Sequence, residues 1–313
     1  MQFNRLTHQE GFPARNILAM HQDSKGFLWM AAPDRLIRFD GKRQKLFRYS
    51  SSNEKSIGSN TIRFIYEDKS GVLWFATAGG GLNKYNSSQE NFIRYTHNRN
   101  DLNSISSDDV SSICEDSYGN LWVGTIGGGL NKFDRKTEKF IAYKNDPSNI
   151  QSLSNNNVSV ICLDSRNNLW VGTTGGGLNI FDIASKKFVH FIHNTSNPNS
   201  LSNNNVTGIV EDANGSLWVS TMGGGLNNLT FLSDYQNLVF IHYKNNHNDQ
   251  YSISSNDIST LYLDREKILW IGTWGGGLNK MIQHPNDNSL VGFISYKHDP
   301  LDIFSLIDDN VNC

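Results

Sequence analysis

A tryptophan returns along this chain at nearly constant intervals. Trp29, Trp74, Trp122, Trp170, Trp218 and Trp270 lie 45, 48, 48, 48 and 52 residues apart. Around five of them one phrase recurs: "LWFATAGGGLNKYN" (73–86), "LWVGTIGGGLNKFD" (121–134), "LWVGTTGGGLNIFD" (169–182), "LWVSTMGGGLNNLT" (217–230) and "LWIGTWGGGLNKMI" (269–282). Six residues before each marker stands Asp23, Asp68, Asp116, Asp164, Asp212 or Asp264. Twelve before it stands Ile17, Ile62, Val110, Val158, Val206 or Ile258. A period of this length means one supersecondary unit, copied, that buries its faces only against its neighbours.

One unit reads as four strands. "VSSICED" (110–116) is β-branched and apolar with no helical period, and the turn "DSYGN" follows it. "LWVGT" (121–125), a glycine loop, "LNKFD" (130–134), the turn "RKTE" and "KFIAYK" (139–144) complete it. Turns this short make antiparallel hairpins. The segment "NDPSNIQSLSNNN" then carries the chain to the next unit. Four short antiparallel strands in 45–52 residues predict a β-propeller blade, with the indole filling the gap between blades. The expected fold is all-β: six complete blades at roughly 15–50, 60–97, 108–145, 156–193, 204–244 and 256–298, with terminal fragments of a seventh. The whole chain, 1–313, reads as a single propeller domain.

The aspartate opens a tight turn in "DSKG", "DKSG", "DSYG" and "DANG", accepting backbone N–H bonds, while Gly permits positive φ. Asn167 replaces that glycine in the fourth unit and tolerates the left-handed region; Lys267 in the sixth suggests a different turn. The triple glycine is not a phosphate loop, because a strand follows it and no helix N-terminus is there to hold an anion. It reads as a tight bend, although its N–H groups remain available to a ligand. Cys114, Cys162 and Cys313 form no disulfide framework and are expected as buried free thiols.

With 313 residues, 19% charged and a net charge of −2, the surface is polar without a strong field. That argues against nucleic acid or anionic membrane as partners. No run of eighteen apolar residues occurs, and "MQFNRLTHQEG" lacks a signal peptide's apolar core. The nine histidines show no metal spacing, so neither a metal nor a cofactor is expected.

In a four-stranded blade the glycine bends and the long connections share one face, and loops on a rigid scaffold carry binding. The residue before each triple glycine varies: Ala78, Ile126, Thr174, Met222 and Trp274. The first unit departs, with Pro33, Asp34 and Arg35 in place of the glycines. Asn16, Thr61, Asp109, Asn157, Asn205 and Asp257 lead into the innermost strands and are expected around the axial opening. Asp34, Arg35, Asp109, Asn157, Asn205, Asp257 and Trp274 are therefore the candidate ligand-binding residues, suited to a polar ligand such as a sugar. A solvated pore rim is the plain alternative. Trp274 reads equally as a stacking platform or as a staple against the next blade.

The unit D-x-x-G-x-L-W-[VI]-G-T-x-G-G-G-L-N-x-[FY]-[DN], followed by "SLSNNNV", resembles the two-component-regulator propeller repeat over essentially the whole chain. The resemblance implies the periplasmic, ligand-sensing region of an inner-membrane receptor of the hybrid histidine kinase type, with a diguanylate cyclase as another possible output. It further implies oligosaccharide recognition, no catalytic residues in this region, and a homodimeric parent. "FISYKHDPLDIFSLIDDNVNC" (293–313) matches an outer strand, a connection and the first three residues of a seventh inner strand. "FNRLTH" (3–8) matches an outer strand that would complete such a blade, so the chain reads as cut from a larger receptor. Rival functions are a protein-interaction scaffold, for which Ile126, Met222 and Trp274 would be exposed apolar tips, and a propeller lyase or glycosidase.

Overall fold

Alternating apolar residues bounded by Asp-Gly and triple-glycine turns leave each repeat no option but a meander. In the third repeat the strands are Val110–Glu115, Leu121–Thr125, Gly129–Asp134 and Lys139–Tyr143. Trp122 sits opposite Cys114 on one side and Lys132 on the other. The computed structural model describes Phe3 and residues 16–230, 238–285 and 291–313. Among these, six four-stranded antiparallel sheets occur, over 19–47, 62–95, 110–143, 158–191, 206–243 and 258–296, each in chain order. No helix is among them. The fold is a β-propeller of six blades, as the repeat predicts.

Two compact units divide the chain. The first comprises 13–173 and 179–189; the second comprises 1–12, 174–178 and 190–313. Within the first, three indoles wedge against the following blade. Trp29 meets Tyr85 at 5.0 Å, Trp74 meets Phe133 at 5.5 Å and Trp122 meets Phe181 at 5.4 Å between ring centroids. Within the second, Trp218 belongs to one apolar cluster with Phe293, Tyr243 and Met281. Removing an indole's roughly 150–250 Å² from water at about 25 cal/mol per Å² is worth on the order of 4 kcal/mol. Each of these wedges is therefore a large apolar contribution to its cluster.

The polar side of the repeat is as regular. Every marker indole donates its Nε1–H to the aspartate six residues earlier, at 2.8–2.9 Å. The other carboxylate oxygen takes the turn's N–H groups, such as Tyr118 and Asn120 on Asp116, both at 2.9 Å. So the aspartate closes the turn as expected and also satisfies the buried ring, a second role the spacing alone did not show. Carboxylates also tie neighbouring turns together: the Lys69 N–H donates to Glu115 at 2.7 Å, and the Ser24 N–H to Glu67 at 2.7 Å.

Two expectations need correction. Lys267 does not mark a different turn. It adopts φ +66°, matching Asn167 at +67°, and its N–H bonds to the Asp264 carbonyl at 3.0 Å as Asn167 bonds to Asp164 at 2.9 Å. The hydrogen bonds of the turn and of the indole outweigh the cost of placing a lysine in the left-handed region. The thiols are not uniformly buried either. Cys114 is buried, Cys162 is half-buried and Cys313 is exposed. Cys114 packs in one apolar cluster with Trp122, Val158 and Ile161. Burial pushes the Cys114 thiol pKa well up.

Candidate functional site

The bend face is built on glycines, and the last of each bend has no room for a side chain. Gly129 has φ +81°, and a Cβ there would stand 2.4 Å from the Tyr143 carbonyl oxygen of the outer strand. Its N–H donates to the Asn156 carbonyl at 2.9 Å, and its own carbonyl accepts the Thr125 hydroxyl at 2.8 Å. Gly127 donates to Asn157 Oδ1 at 3.0 Å. Both N–H groups are thus engaged by the connection to the next blade, which confirms the bend and removes them from a ligand's reach.

Beneath the bend lies the asparagine of "GGGLN". Asn83, Asn131, Asn179, Asn227 and Asn279 are all 0% exposed. Each Oδ1 accepts a backbone N–H from the connection that precedes its own blade, at 2.7–3.1 Å: Gly58, Ser106, Ser154, Ser202 and Ser254 respectively. This residue pins the long loops to the third strand. The first repeat carries Ile37 in its place.

In the first unit, Pro33 and Asp34 form a two-residue hairpin loop, and Asp34 bonds mainly to Arg35, the first residue of the next strand. Arg35 Nε and Nη2 reach the Asp34 carboxylate at 2.7 and 2.5 Å, and Arg48 adds a contact at 3.5 Å. The Arg35 hydrogen bond holds the exposed Asp34 carboxyl below its ordinary range. Asp109 accepts the Ile126 N–H on its carbonyl at 2.8 Å and faces Arg63 at 3.4 Å. Asn157 caps Gly127. In the second unit, Asn205 accepts the Met222 N–H on its carbonyl at 2.9 Å and bridges to Thr174. The Asp257 carbonyl accepts the Trp274 N–H at 2.9 Å, bringing the exposed carboxylate and the 47% exposed indole to one bend. Ile126 and Met222 are half-buried, so of the three expected apolar tips only Trp274 is exposed.

Arg63 was not legible as a site residue. In the second blade Ile62 pairs with Thr77 and Phe64 with Ala76, which leaves Arg63 as the extra residue of a β-bulge. The same bulge recurs at Ser111, Ser159, Thr207 and Ser259. Bulges re-aim side chains. Ser111 is turned onto the Val158 carbonyl at 2.6 Å, and Arg63 onto Asp109. An arginine among four hydroxyl residues is the signal that comparison of the repeats offered.

On the turn side, Arg135 joins Asp68 at 2.6 Å and Glu115 at 3.3 Å. Burial raises the Asp68 carboxyl pKa, but bonds from Ser70, the Trp74 indole and Arg135 outweigh it and bring it down to about 2. No group of three or more His, Cys, Asp and Glu among the described residues is arranged to hold a metal ion. Among the described residues no helix is long and apolar enough to cross a membrane.

Comparison with known proteins agrees with this architecture. The chain is similar over its full length to the extracellular domain of a protein assigned to the hybrid two component systems of B. thetaiotaomicron, at 26% identity and a TM-score of 0.78. It spans 39% of that chain. The extracellular domain of an assigned one component system from the same organism matches 95% of the chain at 21% identity and TM-score 0.69, over 44% of its own length. A virginiamycin B lyase from Staphylococcus aureus shares the fold, at 15% identity and TM-score 0.65, over 94% of this chain and 87% of its own. A search of curated proteins found no match. The model of the two component regulator propeller matches residues 56–79, 104–127, 152–175, 200–223 and 252–275, each running from a connection to the start of a glycine bend. With these five copies of its repeat, the chain belongs to the two component regulator propeller family.

Proposed function

We propose that this chain is the ligand-sensing region of a two-component receptor of the hybrid histidine kinase type, exposed outside the cytoplasm. The observation that carries the reading is full-length similarity to an extracellular domain of that receptor class, together with five copies of the repeat. The ligand is a polar molecule such as an oligosaccharide, taken on the bend face. The groups offered there are the Asp34–Arg35 pair, Asp109 with Arg63, and Asn157 in the first unit, and Asn205, Asp257 and Trp274 in the second. An exposed indole beside a carboxylate suits a sugar, whose C–H face stacks on the ring while its hydroxyls donate hydrogen bonds. The periplasm is the compartment, and the parent receptor acts as a homodimer through regions beyond the propeller.

Titration calorimetry against a panel of oligosaccharides tests the reading. Saturable binding of one glycan, recovered intact, is the expected result. Conversion of a glycan to products would move the protein to the lyase or glycosidase class. Absence of binding across the panel, with a protein captured by crosslinking on the bend face, would favour a scaffold.

A further inference from the structure

Within the second unit, the bends of the fifth and sixth blades are surrounded differently from the others. A Cβ at Gly223 would stand 3.6 Å from Asn203 Nδ2 and 3.9 Å from Asp257 Oδ1, whereas one at Gly79, Gly127 or Gly275 would meet nothing within 4 Å. Asn203 uses its Oδ1 on the Asn205 N–H at 2.9 Å, so its amide Nδ2, a donor, is the atom turned to the bend. Asp257 stands opposite Trp274. Ile258 pairs with Thr273, and the Trp274 N–H carries that ladder one residue further, onto the Asp257 carbonyl at 2.9 Å. Residues opposed in this way carry their side chains on one face of the pair, with Cβ atoms about 5 Å apart. A donor, a carboxylate and an indole that is 47% exposed thus lie around one stretch of the bend face.

Charge sets this place apart from its copies. Thr61, Asn157, Asn205 and Asn310 hold the position of Asp257 in other connections, and all four are neutral. The remaining acid of the series, Asp109, faces Arg63 at 3.4 Å. Asp257 is exposed, and among the described residues neither an ion pair nor a hydrogen bond reaches its carboxylate. The residue opposite is distinctive too: Ala78, Ile126, Thr174 and Met222 take the place of Trp274 in the other bends, and none is aromatic.

A carboxylate without a counter-ion beside an exposed indole is the pair of groups that takes an ammonium. The oxygens accept a charge-assisted hydrogen bond, and the ring's negative face attracts the cation. A neutral hydroxyl gains a weaker form of the first and nothing from the second. Resting on the reading of this face as an oligosaccharide site, we propose that the fifth and sixth bends take an amino sugar. The free ammonium of the hexosamine sits between Asp257 and Trp274, and a hydroxyl beside it accepts from Asn203 Nδ2.

The test is calorimetry of the intact protein with three trimers of one β-1,4 backbone that differ only at C2: the glucosamine trimer, its N-acetylated form and cellotriose. At least about tenfold tighter binding of the free amine is expected, with the advantage shrinking as salt is raised. Asp257→Asn, which installs the residue found at 157 and 205, should erase that preference and leave Tm unchanged. Trp274→Ala should weaken the amine about tenfold. Equal or tighter binding of either neutral trimer would overturn the proposal and leave the oligosaccharide reading standing. So would a preference that survives Asp257→Asn, since the ammonium would then sit elsewhere. Failure of the amine to bind while another glycan of the panel does would overturn the amino-sugar assignment alone; failure of every glycan would overturn both.

Discussion

The indole Nε1 of Trp122 lies 2.9 Å from Oδ2 of Asp116, and both residues are 0% exposed. Six copies of this pair hold a turn and an indole with one carboxylate each. Replacing Asp116 by Ala strands a buried indole N–H and two turn N–H groups. An expected loss of about 2–4 kcal/mol follows from leaving buried donors unpaired. Asp116→Asn keeps an acceptor and should cost less than half as much. Chemical denaturation of the two variants checks the ratio; equal losses would mean that the charge, and not the hydrogen bond, is what the site needs.

The Asp68 carboxyl is held at about 2, below its ordinary 3.8. A depressed carboxyl stabilises the folded state above its unfolded pKa and ceases to do so as pH falls through the folded value. Asp68 should therefore contribute fully above about pH 5, and its contribution should fade between pH 4 and pH 2. Thermal unfolding of the protein and of Asp68→Asn across that window should show a gap in Tm that closes at the acid end. A gap independent of pH would refute the ion pair with Arg135 as its source.

Glycines of one bend differ in what they tolerate. Gly127 has φ +79° and open space around a virtual Cβ, whereas Gly129 at +81° would clash with the Tyr143 carbonyl. Gly127→Ala should cost about 1–2 kcal/mol, the left-handed penalty alone. Gly129→Ala adds overpacking and should cost at least about 1–3 kcal/mol more. Equal denaturation midpoints would show that the outer strand yields freely.

Asn131 ties the loop before its blade to the third strand through Ser106. Asn131→Leu is expected to destabilise by about 1–3 kcal/mol and leave the Ser106 amide without its acceptor. Exchange of the Ser106 amide should then quicken well beyond that of amides within the strands. Uniform acceleration would instead indicate global loosening.

Trp274 is the exposed variable tip of its bend. Trp274→Ala should leave Tm within about 1 °C, since surface changes mostly stay within ±0.5 kcal/mol. On the proposed function it should weaken oligosaccharide binding about tenfold, as loss of one stacking ring does. Calorimetry of the variant beside its melting curve separates a binding residue from a structural staple, which would lower Tm.

The all-β propeller was legible in the sequence because its causes are local and copied. Strand alternation, short turns and a regularly spaced indole act within a dozen residues, and copying makes them visible. Trp122 as a wedge and the triple glycine as a bend both follow from that period. What only the tertiary structure decided depends on which residues meet across blades. The bulge that turns Arg63 toward Asp109, the burial of Asn131 under a neighbouring loop and the left-handed Lys267 all depend on hydrogen-bond partners distant in sequence or on local dihedrals. Cys114 and Cys162 share one position in the repeat, yet one is buried and the other half-buried. A repeat states its own unit many times over. What lies beside each copy is a matter of three-dimensional packing, and the Asp257 carboxylate beside Gly223 arises there.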